Sequence, residues 1–393
     1  MPLPLYLLAV AVFAMGTSEF MLAGLVPAIA ASLDVPVGAA GLLTSAFAVG
    51  MVVGAPLMAV LARRWPARAS LLSFVLVFAA AHVVGALTTS FAVLLGTRVL
   101  AALANAGFLA VALTTAAALA ATDRKGRALA VLLSGTTVAT VAGVPGGAVL
   151  GALLGWRATF WAIALLCLPA AAGVVKGIPP RVGRTPRNAP AGASLRDEIA
   201  QLTAPRLVLV MLLGALVNAA TFATFTYLAP VVTGTAGLGD LWVPVVLVLF
   251  GVGSFVGVTV AGRLADRRPR IVIAVGGPLL LLGWVAMATL AAQSAALLLL
   301  VFVQGTLSFA LGGTLITRVL YEAAGAPTMG GSYATAALNI GAAGGPVVAA
   351  AALGAGAGDL GPVWVSGVLV AVALLVALPF LRIVAPRAGR ATR

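Results

Sequence analysis

The stretch FAVGMVVGAPLMAVLARRWP at residues 47–66 recurs 203 residues later as FGVGSFVGVTVAGRLADRRP at residues 250–269. The two copies agree at nine of 20 positions without a gap, and the shared positions include two glycines four residues apart. Each copy is an apolar run that ends in basic residues, as a transmembrane helix does where it meets a basic loop. The repeat therefore predicts a chain made of two similar halves, with corresponding helices in each.

The composition predicts that the rest of the chain is also embedded in a membrane. Of its 393 residues, 62% are hydrophobic and only 8% are charged. Soluble domains carry about 25% charged residues, and a soluble fold of this length could not hide so much apolar surface, because surface grows with mass. The sequence excludes an ordinary soluble domain and predicts a polytopic membrane protein.

Apolar runs long enough to cross a bilayer, about 20 residues each, occur twelve times. They are continuous rather than alternating, which favours helices over a β-barrel. The predicted class is therefore an all-α membrane protein with twelve transmembrane helices. The predicted spans are 4–27, 40–61, 70–88, 92–116, 127–150, 158–176, 206–228, 243–262, 271–291, 296–316, 330–352 and 362–384.

The net charge of +14 follows the predicted topology. If both termini are cytoplasmic, 21 of the 23 basic residues fall in cytoplasmic connections or tails, while Arg157 lies outside and Arg98 lies within a span. This is the positive-inside distribution, so the basic charge does not call for a nucleic-acid partner. The alignment of the two copies places the midpoint after the sixth span. We therefore expect an N-terminal six-helix bundle at 1–176, a cytoplasmic linker at 177–205 with a short helix near 195–202, and a C-terminal six-helix bundle at 206–393.

Two ionic residues inside predicted spans are candidates for chemistry. Glu19 is the one carboxylate within a long apolar stretch, where an ionisable group is costly and marks function by default. Arg98 lies at a similar depth in the fourth span, and because arginine stays charged it can pair with a carboxylate but cannot itself carry the proton. A static pair that holds spans 1 and 4 together is the alternative. His82, in the third span, is either a hydrogen-bonded packing residue or a proton relay.

The fifth span carries a run of glycines around a proline, Gly135-x7-Gly143-Val-Pro145-Gly146-Gly147-x3-Gly151. Proline removes a backbone hydrogen bond and bends a helix, and glycine lets a neighbouring helix come close at the bend. The run predicts a bent, closely packed helix, which has a role in transport or in packing alone.

Several motifs together resemble one family. Gly16-Thr-Ser-Glu19-Phe20, Leu43-Thr-Ser-Ala-Phe, Gly143-Val-Pro145, Gly155-Trp-Arg and Thr226-Tyr-Leu-Ala-Pro230 are similar to the twelve-span drug:proton antiporters of the major facilitator superfamily, closest to the branch of chloramphenicol exporters and arabinose or sugar-efflux relatives. The resemblance covers nearly the whole chain. It implies two pseudo-symmetric six-helix bundles that alternate access to a midplane site, in a multi-pass protein of the bacterial inner membrane.

The resemblance also assigns roles to residues. It implies that Glu19 and Arg98 couple protons to transport, and that Gly143, Pro145, Gly146 and Gly147 form the antiporter motif typical of exporters. Gly262, Asp266 and Arg267 match the family's loop motif, which latches the cytoplasmic side, whereas the first copy departs from it with Ala59, Arg63 and Pro66. A solvated anchoring loop is the alternative for both copies.

The expected function is proton-coupled efflux of an amphipathic drug, chloramphenicol first, which would confer antibiotic resistance. Export of sugars or another small metabolite is the alternative. We expect a monomer in the lipid bilayer, with a small-molecule drug and protons as ligands and no cofactor or metal. The sequence contains no phosphate-binding loop for ATP and no metal cluster or nucleophile triad typical of an enzyme. Candidate cavity residues, for which core packing is equally compatible, are Phe13, Phe20, Asn105, Asn218, Thr221, Phe225, Tyr227, Gln304, Tyr333 and Asn339.

Overall fold

A computed structural model describes residues 3–61, 65–119, 125–179, 195–264, 269–326 and 329–380. Within these ranges the regular structure is helical throughout. The chain divides into two compact units, Met1–Gly192 and Ala193–Arg393.

In its described residues, the N-terminal unit contains six long helical stretches. The first consists of α1, a short 3₁₀ turn and α2, and the fifth consists of α6 and α7 joined by a turn of π-helix. The bounds are α1 Leu3–Phe20, the 3₁₀ turn Met21–Gly24, α2 Val26–Leu33, α3 Val37–Leu61, α4 Ala67–Leu87, α5 Phe91–Leu119, α6 Lys125–Val138, the π turn Ala139–Gly143, α7 Val144–Leu154 and α8 Trp156–Gly177.

The described residues of the C-terminal unit form a short helix from the predicted linker, followed by six longer helices. Its first long helix, α10, is extended by a single turn, α11, and a π turn. The bounds are α9 Leu195–Ala200 with the 3₁₀ turn Gln201–Thr203, α10 Pro205–Thr226, α11 Leu228–Pro230, the π turn Val231–Thr235, α12 Trp242–Leu264, α13 Pro269–Leu290, α14 Ser294–Glu322, α15 Gly330–Gly354 and α16 Gly361–Ala377.

The predicted all-α membrane fold is confirmed, and each of the twelve predicted spans coincides with one of these helical stretches. Eleven stretches in the described residues are long and apolar enough to cross a bilayer. The twelfth, α16, is apolar but has 17 described residues, and its predicted end at 384 lies beyond the described part of the chain. Which side of the membrane holds the termini stays a prediction from the loop charges.

The glycines shared by the two sequence copies make equivalent helix crossings. A Cβ added to Gly50 of α3 would lie 2.6 Å from the Cβ of Ala102 on α5. A Cβ added to Gly253 of α12, the matching position, would collide with the carbonyl of Phe302 on α14. Only glycine lets the backbones approach this closely, as in membrane helix pairs generally. The repeat therefore fixes the same helix contact, α3 with α5 and α12 with α14, in each unit.

The predicted linker helix is present, but its surroundings differ from the solvated segment that the sequence suggested. Glu198 of α9 is 1% exposed, and its Oε2 accepts a hydrogen bond of 2.8 Å from the backbone N–H of Met329. Met329 is the residue that precedes the first turn of α15, where backbone N–H groups lack partners within the helix. Glu198 is buried because it caps α15, a tertiary contact that sequence patterns do not report.

Candidate functional site

Glu19 lies in the last turn of α1, next to a break in the first span. After Phe20 the chain tightens into the 3₁₀ turn, and α2 starts at Val26 with Pro27 in its first turn. Proline has no N–H to continue a helix from the preceding turn, so the Gly24-Leu-Val-Pro27 sequence explains the break. The Glu19 side chain is half-buried, and Ser18 before it is fully buried.

The fifth span presents to the first span a glycine face, formed by Gly135, Gly143 and Gly151. A Cβ on Gly135 would be 2.9 Å from the backbone nitrogen of Phe13, and one on Gly143 would collide with Thr17 Oγ1. Further along, a Cβ on Gly151 would collide with Leu25. The contacted residues Phe13, Thr17 and Leu25 are four and eight residues apart, as expected for one face of a helical segment. These glycines hold the segment that carries Glu19 against the fifth span.

The backbone of the fifth span changes geometry at the proline. The π turn Ala139–Gly143 immediately precedes α7, which has Pro145 in its first turn. A π turn inside a helix is rare and often occurs at functional sites. Gly147 packs against Thr159 of α8, whereas Gly146 is exposed and has open space around it. The four residues of the predicted antiporter motif therefore have different surroundings.

Arg98 is held by Ser18. The guanidinium is 1% exposed, its Nη1 donates to Ser18 Oγ at 2.8 Å and its Nη2 donates to the Ser18 carbonyl at 2.7 Å. The guanidinium carbon also lies 4.6 Å from the centre of the Phe47 ring, in a cation–π arrangement. Because Ser18 belongs to the last turn of α1, the cation lies at the negative end of that helix.

His82 completes a chain of hydrogen bonds behind Ser18. Its Nδ1 lies 2.8 Å from the Phe78 carbonyl, and its Nε2 lies 2.7 Å from Ser18 Oγ. A carbonyl only accepts, so Nδ1 carries the hydrogen. In the neutral ring Nε2 then accepts the Ser18 hydroxyl hydrogen. The imidazole is packed between the rings of Phe78 and Phe160. The sequence singled out His82 and Arg98 separately, but it did not identify Ser18 as the residue that joins them.

The predicted pairing of Glu19 with Arg98 is indirect in this structure. The two side chains are close enough to interact electrostatically, and both belong to the described residues. The structure records hydrogen bonds from Arg98 to Ser18 and no ion pair with Glu19. The Nε–H of Arg98 is buried without a hydrogen-bond partner. This nitrogen is therefore a donor that an ionised carboxylate could use.

Two of the predicted cavity residues line one cavity of the C-terminal unit. Phe225 and Gln304 line a small cavity with about 10 Å³ of space for the centre of a water molecule. The Phe225 ring lies 4.7 Å from that of Phe250, and Trp284 forms another wall. Gln304 Nε2 donates to the Leu280 carbonyl, but Gln304 Oε1 and Trp284 Nε1 are buried with no partner. The surface of the cavity itself is apolar and largely aromatic, so these two polar atoms do not face it.

The other predicted cavity residues lie elsewhere, and most of them make hydrogen bonds or packing contacts within or between helices. Asn218 Nδ2 donates to the Leu338 carbonyl at 2.7 Å, and Tyr333 OH donates to the Glu198 carbonyl at 2.8 Å. Phe13 lies against the glycine face, and Phe20 is half-buried. None of them lines the Phe225 cavity, so their place in a drug site stays a prediction. Asn105 lies near Met51 Sδ at 3.6 Å, and the polar atoms of Thr221, Tyr227 and Asn339 donate to the carbonyls of Val217, Pro346 and Thr335.

The loop motif is described only at its first residue. Gly262 is exposed near the end of α12 and has open space around it. Asp266 and Arg267 lie outside the described residues, as does Arg63 in the first copy. The latch expected from the resemblance stays a prediction.

Comparison with known proteins identifies the family. The sequence profile of the Major Facilitator Superfamily matches residues 8–346. The chain is 74% identical over 384 residues to a protein of Streptomyces lividans named chloramphenicol resistance protein, covering 98% of this chain and 97% of that one. It is 33% identical over 355 residues to the inner membrane transport protein YdhP of Escherichia coli, covering 90% of each.

Solved structures support the same fold. A bacterial homologue of the human lysosomal transporter Spinster, crystallised in an inward-facing and unoccupied conformation, matches with a TM-score of 0.77 at 18% identity, over 97% of this chain and 96% of that one. The profile match and the two relatives show that this protein belongs to the Major Facilitator Superfamily, which confirms the predicted family. It is a multi-pass transporter of the bacterial cytoplasmic membrane and not an enzyme.

Proposed function

We propose that the protein exports an amphipathic drug, chloramphenicol, in exchange for protons by alternating access. The observation that carries the proposal is the half-buried Glu19 beside a buried and permanently charged Arg98. The high identity to a protein named for chloramphenicol resistance supports the choice of drug. The transporter acts as a monomer, since each chain contains its own proton-coupling pair.

Glu19 is suited to carry the proton because its side chain can be hydrated in one conformation of the transporter and enclosed in apolar surroundings in another. Water around the carboxyl allows it to ionise, whereas an apolar and closed environment favours its neutral form. A proton loaded from the outside therefore travels with the neutral carboxyl and is released when the site opens to a more alkaline cytoplasm. Arg98 stays charged throughout and stabilises the carboxylate once the proton has left.

The glycine face of the fifth span would transmit this cycle to the rest of the N-terminal unit. Gly135 and Gly143 allow α1 to lie directly on α6 and the π turn. A shift at the Pro145 bend would therefore move the segment that carries Glu19. We assign the antiporter role of the motif to this contact, and the closing of the cytoplasmic side to Gly262, Asp266 and Arg267.

We assign the cavity beside Phe225 to drug binding in a state in which the cavity widens, since here it has room for about one water molecule. Phe225, Phe250 and Trp284 present aromatic faces, which suit an aromatic ring. Trp284 Nε1 and Gln304 Oε1 lie behind this apolar surface without partners. A rotation of either side chain would let a ligand with amide and hydroxyl groups bind it. These features fit an uncharged, aromatic, hydrogen-bonding drug better than a charged one.

The exchange of a neutral drug for one proton moves net positive charge inward. Each elementary charge gains about 2.3 kcal/mol per 100 mV of membrane potential. Both the pH gradient and the membrane potential would therefore drive export.

Transport in inverted membrane vesicles tests the proposal. Chloramphenicol should dissipate an imposed proton gradient with an acid interior, and Glu19→Gln should abolish that response with normal protein in the membrane. Asp34→Asn is the matched control, since it also replaces a carboxylate by an amide but does so at an exposed residue after α2, where the backbone φ of 52° suits asparagine. An unchanged response in Glu19→Gln would remove Glu19 from proton transport.

The same vesicles separate the drug from the alternative substrate. Gradient dissipation by arabinose and not by chloramphenicol would overturn the drug assignment and leave proton exchange in place. Uptake of chloramphenicol without movement of protons would overturn the coupling.

A further inference from the structure

The proposed cycle uses Glu19 and Arg98 but gives no role to Ser18 and His82, which make the hydrogen bonds around Arg98. We propose that Ser18 and His82 are positioning residues that form a second holding site for the Arg98 guanidinium, which keeps Arg98 away from Glu19 while Glu19 carries its proton. This inference rests on the proposed proton exchange and adds a mechanism by which Glu19 is left free to be protonated.

The need for a second site follows from the permanent charge of Arg98. The guanidinium is fully buried, and a buried cation is costly unless it has partners. While Glu19 is neutral it offers no counter-charge. The last turn of α1 then supplies partial negative charge through the Ser18 carbonyl, Ser18 Oγ supplies a second acceptor, and the Phe47 ring supplies a cation–π contact.

His82 sets the direction of the Ser18 hydroxyl. With its Nδ1 hydrogen bonded to the Phe78 carbonyl, the neutral ring presents only a lone pair at Nε2. The Ser18 hydrogen therefore points to His82, and the oxygen of Ser18 is left to accept from Arg98 Nη1. Without an acceptor at this position the hydroxyl could rotate and turn its hydrogen toward the cation.

The same geometry allows Arg98 to exchange between two partners. Ser18 and Glu19 are consecutive in the last turn of α1, and Arg98 interacts electrostatically with Glu19 already. The Nε–H of Arg98 has no partner, so an ionised Glu19 could bind it before the bonds to Ser18 break. Ionisation of Glu19 would then move the Arg98 guanidinium from Ser18 to Glu19, and protonation of Glu19 would return the guanidinium to Ser18.

Few other titratable groups could produce this behaviour. Away from the helix ends, the helices that pack on α1 and on Arg98 carry His82 on α4 and Cys167 on α8, and α3 carries none. The charged residues Arg68, Arg127, Arg157 and Lys176 lie at helix ends. In the part of the chain that the structure describes, Glu19, Arg98 and His82 are thus the groups whose charges matter at this site.

The test is the pH dependence of chloramphenicol uptake into inverted vesicles, measured against the pH of the vesicle interior. Ser18→Ala removes the acceptor of Arg98 Nη1 but keeps the backbone carbonyl and the Phe47 ring, so it weakens the holding site and shifts Arg98 toward Glu19, which favours the carboxylate. The interior pH that gives half-maximal uptake should fall by about 1 unit, because a neighbouring Arg disfavours protonation of an acid by at least that much. Ser18→Thr, which keeps the hydroxyl, should restore the profile of the unchanged protein.

His82 offers an independent pair of variants. His82→Leu should give the same acid shift, since it removes the acceptor, and His82→Gln should not, since its side-chain amide can place an oxygen near the former Nε2. Ser70→Ala is the control for loss of a buried serine hydroxyl, because Ser70 bonds to the Pro66 carbonyl at the far end of α4.

Two results would overturn the inference. One is a pH profile of Ser18→Ala that matches the profile of the unchanged protein, whatever the amount of the variant in the membrane. Ser18 would then have a structural role only. The other is an equal shift in His82→Leu and His82→Gln. Failure of the proposed function would be distinguishable, because the unchanged protein would then show no chloramphenicol-dependent proton movement.

Discussion

Arg98 and Ser18 lie 80 residues apart in the chain and are joined by two hydrogen bonds, from Nη1 to the Ser18 Oγ at 2.8 Å and from Nη2 to the Ser18 carbonyl at 2.7 Å. One residue holds the cation through its side chain and its backbone. The cation is thus fixed at the end of α1, beside Glu19 but not on it. Two nitrogens in a fixed planar arrangement are needed for this contact.

Arg98→Lys is therefore not a conservative change. Lysine carries the same charge on a single nitrogen and cannot reproduce the two separate bonds of a planar guanidinium. Hydrogen bonds to charged groups contribute about 1.5–3 kcal/mol each, so we expect chloramphenicol uptake to fall at least about tenfold. Uptake in inverted vesicles, normalised to the protein in the membrane, measures the effect. Uptake equal to that of the unchanged protein would show that charge alone suffices.

The glycines of the fifth span should differ sharply in their tolerance of alanine. A methyl group on Gly143 would collide with Thr17 Oγ1, whereas one on Gly146 would meet open space. Added volume in a packed contact costs about 1–3 kcal/mol. Gly143→Ala should lower the thermal unfolding temperature in detergent and reduce uptake, and Gly146→Ala should leave the unfolding temperature unchanged. Equal effects of the two changes would contradict the packing described for α1.

The fold could be predicted from the sequence because each transmembrane helix is encoded by a local run of apolar residues. Each span needs about 20 consecutive apolar residues, and Gly50 and Gly253 recur in both copies because the same helix crossing recurs. The Arg98 contact could not be predicted in this way. Ser18 is one of many hydroxyl residues in the sequence. Its contacts with His82 and Arg98 form only when α1, α4 and α5 pack together. Trp284 was missed for the same reason, since an unpartnered indole nitrogen is visible only once its neighbours are placed.

Glu198 should contribute to stability rather than to transport. Its carboxylate caps the start of α15 through Met329, and its carbonyl accepts from Tyr333 OH. Loss of a capping acceptor costs about 0.5–2 kcal/mol, so Glu198→Ala should lower the thermal unfolding temperature. Arg196→Ala, at an exposed residue of the same helix, is the control. No difference between the two variants would mean that α9 is not held by this contact.

The cavity beside Phe225 allows a prediction in which chloramphenicol binding and protein stability change independently of each other. Gln304 Oε1 and Trp284 Nε1 are buried without partners, and an unsatisfied buried polar group costs about 1–3 kcal/mol. Gln304→Met removes the oxygen at nearly equal volume but also loses the bond to the Leu280 carbonyl. Trp284→Phe removes the unpartnered nitrogen together with part of a buried ring, which leaves a small cavity. Because the relief of the unsatisfied nitrogen and the cost of the cavity oppose each other, Trp284→Phe should change the unfolding temperature little.

If the two atoms are kept for the drug, both changes should raise the KM for chloramphenicol about threefold to tenfold, the equivalent of one lost hydrogen bond. Met287→Leu, which changes an apolar wall of the same cavity, should alter the KM less. The measurement is the concentration dependence of uptake in inverted vesicles, paired with thermal unfolding. A KM that is unchanged in both variants would mean that this cavity is a packing defect and that the drug binds elsewhere.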